Sequence, residues 1–99
     1  MTYIEQIRGR QEFNREIASL LTNHPNKIVQ GIAQSFLKLT EKYPRMRAGQ
    51  IICNYICGDY RDPECANSTK VILNELFPGN PDPFFEESYG TLKRLKDIQ

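Results

Sequence analysis

Histidine occurs once in this chain, and no apolar run approaches the length of a bilayer; each shortage removes a class of function. A membrane-spanning helix needs about 20 consecutive apolar residues, and no segment supplies them. The opening MTYIEQIRGR lacks the apolar core of a secretory leader, so the expected setting is the cytoplasm. Cysteine occurs three times, an odd number that fits reduced thiols better than a disulfide framework. There is no phosphate loop, GxSxG elbow, HExxH zinc helix or dinucleotide-binding glycine fingerprint. The chain is therefore read as not an enzyme, with no catalytic residue, no cofactor and no metal.

The cysteines are the strictest test of the metal reading. Cys53 and Cys57 share a helix face at i, i+4, and Cys65 on a loop could fold back toward them. Zinc would still want a fourth ligand, and His24 sits in a capping turn. Buried thiols acting as small hydrophobes are the simpler reading.

The 99 residues, 39% hydrophobic and 25% charged, describe one helical domain, 1–99, able to bury about two-thirds of its unfolded surface. Its centre is expected at residues 45–57. At 100° per residue, Arg47, Gln50 and Asn54 occupy a narrow polar stripe, while Met46, Ala48, Ile51, Ile52, Cys53, Tyr55, Ile56 and Cys57 cover the remaining circumference. A helix apolar over so much of its surface belongs inside, and the expected fold is all-α, four to five helices around this central one.

Thr2 and Glu5 have the spacing of a capping box, which starts a first helix. Gly9, within the polar run 8–12, suggests a bend or break before periodicity resumes at Phe13, Ile17, Leu20 and Leu21. Asn23-His24-Pro25-Asn26 punctuates, and a second helix is expected from about Pro25 to Tyr43, with Ile28, Ile32, Phe36, Leu39 and Tyr43 inward. Pro44 ends it. Residues 58–67 read as a loop, closed by a cap at Asn67 or Ser68. Val71–Phe77 is short enough for helix or strand, and the cap and the lack of a partner strand favour helix. A rigid loop at 78–83 leads to Phe84 and Phe85, taken as anchors, and to a last helix marked by Tyr89, Leu92, Leu95 and Ile98.

Charge is unevenly spread behind a net +1. Residues 27–47 carry five cations against Glu41, for +4; residues 59–87 carry seven acids against Arg61 and Lys70, for −5. The expectation is that the two stretches face each other. Arg47, Gln50 and Asn54 are expected to form an internal polar ridge, with Gly49 letting another backbone pass close, that clamps the loop bearing Asp82, Phe84, Phe85, Glu86 and Glu87. The alternative gives Arg45 and Arg47 to an anion at the start of the central helix. A nucleic-acid interface is disfavoured, because a polyanion binder usually shows a cationic excess over the whole domain.

Arg47-x-Gly49-Gln50-x-x-x-Asn54, preceded by Tyr43-Pro44 and followed by Asp82-Pro83-Phe84-Phe85-x-Glu87, is similar to a group of small uncharacterised bacterial and phage-type helical proteins carrying an R-x-G-Q-x-x-x-N helix and a D-P-F-aromatic-acidic stretch. The resemblance covers residues 35–95. It implies a compact helical fold without known catalytic residues, and it brings no established function. The chain departs from the group in its longer loop with Pro63 and Cys65 and in Gly90. The expected role is a protein-protein interaction module acting on a protein partner or on itself as a homodimer, with no membrane contact. The runner-up is a small nucleic-acid or anion binder using the basic residues 27–47.

Overall fold

The first helix begins as the capping-box spacing requires: the Glu5 amide donates to the Thr2 hydroxyl, and the Glu5 carboxylate accepts from the Thr2 amide, both at 3.2 Å. The computed structural model describes residues 2–58 and 67–98. Its elements are α1 (Tyr3–Thr22), α2 (Lys27–Gln30), α3 (Ala33–Lys42), α4 (Ala48–Ile51), which runs on as a π turn over Ile52–Ile56, α5 (Asn67–Leu76), a 3-10 turn (Pro83–Phe85) and α6 (Ser88–Ile98). The fold is all-α, a small helical bundle with no strand among the described residues. Val71 to Leu76 is thus helical, and Phe77 follows the helix end. No described helix is long and apolar enough to cross a membrane.

Two glycines behave opposite to expectation. α1 runs unbroken through Gly9, whereas the expected helix 25–43 breaks at Gly31 and Ile32. The same backbone freedom is available at both, at about 1 kcal/mol against helix relative to Ala, so packing decides. α1 packs chiefly on α3 and α6, while α2 packs on α5 and α3 on α1. The chain must turn between α2 and α3, and Ile32 N donates to Val29 O in a tightened turn there. The second segment starts at Lys27 rather than at about Pro25, and Asn26 caps it, its side-chain oxygen accepting from Ile28 N at 2.9 Å. The inward face consequently runs through Val29, Ala33, Phe36 and Thr40, and leaves Ile28 and Leu37 exposed.

The core joins Ile17 and Leu21 of α1, Val29, Phe36, Ile51, Ile52, Ile72, Leu76, Leu92 and Leu95. The 45–57 segment sits among α3, α6 and the 3-10 turn, with Ala48, Gly49, Ile51, Ile52, Cys53 and Cys57 buried. On the outside, α1 is clasped to α3 by a two-point Arg15–Glu41 pair, Nε–Oε1 at 2.7 Å and NH2–Oε2 at 3.0 Å. That hydrogen-bonded guanidinium holds the Glu41 carboxyl below the usual carboxylate range.

Candidate functional site

The start of α4 is closed by its own sequence. Gln50, three residues into the helix, turns its side-chain oxygen back to accept the Arg47 amide at 2.9 Å, and the Ser88 hydroxyl accepts the Ala48 amide at 3.0 Å. Two of the amides that an anion at Arg45 and Arg47 would use, those of Arg47 and Ala48, are thus engaged. Arg45 instead places its guanidinium 5.6 Å from the Tyr3 ring centroid, while its carbonyl accepts from Arg10 NH1 at 2.6 Å.

The expected ridge of Arg47, Gln50 and Asn54 is not one line. Asn54 is exposed, because the i→i+5 bonding of the π turn advances each residue by less than 100° and swings position 54 off the stripe. Gln50 turns its side-chain oxygen to the start of its own helix. Arg47 does reach the loop, with NH1 3.6 Å from Glu87 Oε1, and its Nε is buried without a partner among the described residues. Gly49 is where the loop comes closest: a Cβ there would lie 2.0 Å from the Pro83 carbonyl oxygen and 3.2 Å from Glu86 Cβ. Phe85 is 62% exposed, so it anchors nothing inside; Phe84 is half-buried, and buried Pro83 is what presses on α4. Asp82 opens the 3-10 turn, its amide donating to the Asn80 side chain at 3.0 Å.

The loop is held chiefly by Glu86. Its carboxylate accepts from Asn80 Nδ2 at 2.7 Å and pairs with Arg94, which also donates from Nε to the Leu76 carbonyl at 3.3 Å. Gly90 belongs to this cluster, since a Cβ there would meet Glu86 Oε1 at 2.4 Å. The charged stretches 27–47 and 59–87 therefore meet at Arg47 and Glu87, while Glu86 pairs with Arg94 and Glu41 with Arg15. Double-mutant cycles should show the difference: about 1–3 kcal/mol of coupling for Arg94–Glu86, whose groups are largely desolvated, and below about 0.5 kcal/mol for Arg47–Glu87, whose carboxylate faces water. Equal couplings would contradict this geometry.

Cys53 and Cys57 are buried; Cys65 lies outside the described residues, as do Pro63 and the rest of the loop 59–66. Among the described residues no three histidine, cysteine or acidic side chains come together as metal ligands would.

Where the π turn ends, Tyr55 stacks on Tyr43, rings 4.6 Å apart and 7° from parallel, with Lys42 Nζ 5.4 Å from the Tyr43 centroid. The hydrogen bond to Tyr43, helped by desolvation, pushes the Tyr55 hydroxyl above its ordinary value. A raised folded-state value means this contribution to stability is present below about pH 10, the usual tyrosine value, and is lost as pH rises through the folded one. Alkaline difference spectra should show one late-titrating tyrosine that returns to the ordinary range in Tyr43→Phe.

A cleft of about 330 Å³ opens between α1 and the start of α6, lined by Glu5, Gln6, Gly9, Arg10, Phe13, Glu87, Ser88 and Tyr89. Phe13 and Tyr89 meet edge-to-face at one wall, centroids 5.7 Å apart. The usable signal in the sequence was Gly9, a glycine inside an otherwise strong helix with Phe13 one turn later. No family model, curated protein or solved structure matches the chain.

Proposed function

We propose that the protein is a non-enzymatic interaction module of the cytoplasm that holds a protein partner at the α1/α6 cleft. The observation that carries this reading is the Phe13–Tyr89 pair: two large rings packed on each other at the wall of a concave surface, with Tyr89 61% exposed although it belongs to a helix with a well-buried face. Aromatic side chains flanking a cleft are the usual anchors of protein contacts. Ser88, Thr91, Leu92 and Leu95 already fill the inward face of α6, so Tyr89 serves no core.

The test is capture from the native host by wild-type protein and by Tyr89→Ser. A partner retained by the first and lost by the second supports the reading; a partner held equally by both removes the cleft from it. Light scattering at high concentration decides whether that partner is a second copy, because a dimer mass that falls to the monomer in Tyr89→Ser places self-association on this surface.

A further inference from the structure

The space at the α1/α6 cleft has a chemical preference. Gly9 lies within a continuous helix, its φ is not positive, and a Cβ built on it would have nothing within 4 Å. Neither a turn nor a close approach inside the fold uses it, yet glycine costs a helix interior about 1 kcal/mol relative to Ala. What its missing side chain does is leave the helix backbone bare as part of the cleft lining.

The charged groups around that space are unequally committed. Arg10, the cation of the lining, gives NH1 to the Arg45 carbonyl at 2.6 Å. Glu5 on the α1 wall uses Oε2 for the Thr2 amide at 3.2 Å, and Glu87 on the opposite wall is joined to Arg47 at 3.6 Å, beyond hydrogen-bond length, with its side chain 63% exposed. Each wall thus carries a carboxylate residue, Glu5 on one and Glu87 on the other, beside the Phe13 and Tyr89 rings. At about 330 Å³ the cleft is at the small end for a ligand site, with room for one long side chain rather than for a helix.

We infer that the cleft receives an arginine side chain carried on a basic segment of the protein partner. A guanidinium is planar and weakly hydrated, stacks on aromatic rings and forks to carboxylates, and its aliphatic stem suits a bare helix backbone. An acidic anchor would meet two carboxylates, Glu5 and Glu87, against one cation, Arg10, which already gives NH1 to the Arg45 carbonyl. This rests on the cleft being the partner-facing surface.

The experiment uses the full chain, isotope-labelled, titrated with blocked five-residue peptides of leucine and glycine whose central residue is arginine, citrulline or glutamate. The arginine peptide should shift the Gly9, Ser88 and Tyr89 amide resonances and bind at least tenfold more tightly than the citrulline peptide, which keeps the shape and removes the charge. That difference should vanish in Glu5→Gln/Glu87→Gln. Gly9→Leu should abolish binding while its melting temperature rises, since leucine is the better helix former and its Cβ has nothing within 4 Å. Arginine and citrulline peptides binding equally at these resonances would overturn the cation preference and leave the partner cleft standing. Absence of shifts with every peptide, together with unchanged partner capture by Gly9→Leu, would overturn both.

Discussion

Gly49→Ala is expected to destabilise the protein by about 3 kcal/mol, the upper end of overpacking in a filled interior. For a domain of this size each kcal/mol moves the melting temperature by about 4–8 °C, so the melt should fall by roughly 12–24 °C. The sign is informative, because in an open helix the same substitution stabilises by about 1 kcal/mol. Here the new Cβ falls 2.0 Å from the Pro83 carbonyl oxygen, and backbone rather than a flexible side-chain tip stands in its way. Either the 3-10 turn lifts off α4, breaking the approach that brings Glu87 to Arg47, or α4 retreats into Ile51 and Ile52. Gly9→Ala is the matching control, with open space at its Cβ, and should raise the melt. A Gly49→Ala protein melting at or above wild type would mean that the Pro83 turn does not rest on α4.

Phe36→Ala should cost about 3–5 kcal/mol, the usual range for emptying a fully enclosed aromatic site. Phe36 has no exposed surface and is among the largest side chains so enclosed. Against a total of roughly 5–15 kcal/mol for a folded domain, that loss leaves little. In urea the midpoint should drop with the slope nearly unchanged, as expected when stability falls without a change in the surface exposed on unfolding. Phe85→Ala, at a 62% exposed ring, should stay within about 0.5 kcal/mol of wild type. Equal losses at the two positions would show that the burial of α3 is wrongly placed.

Much of the frame was legible in the order of residues alone. Thr2 and Glu5 named the start of α1, Pro44 the end of α3, and the apolar sector of 45–57 foretold the burial of Ile51, Ile52 and Cys53. These features are local: a cap, a ring clash and a 3.6-residue period act within a turn or two of the residues that encode them. The site was less legible because its parts lie far apart in the chain. Glu5, Gly9 and Phe13 meet Glu87 and Tyr89 only when α1 and α6 pack, and Glu86 finds Arg94 rather than Arg47 because α6 brings Arg94 back over the end of α5.

The paired glycines mark the boundary between the two kinds of information. Gly9 and Gly31 each weaken a helix by a similar local amount, yet one helix continues and the other breaks. Likewise nothing local told the 45–57 helix to widen at Ile52, which carried Asn54 out to water and took it from the expected ridge. The sequence by itself determined the helical class, the caps and the apolar faces. Tertiary structure alone decided which glycine breaks a helix, which acid meets which arginine, and where a concave surface remains. A difference of about 1 kcal/mol in local preference is smaller than what the packing of a whole helix face contributes.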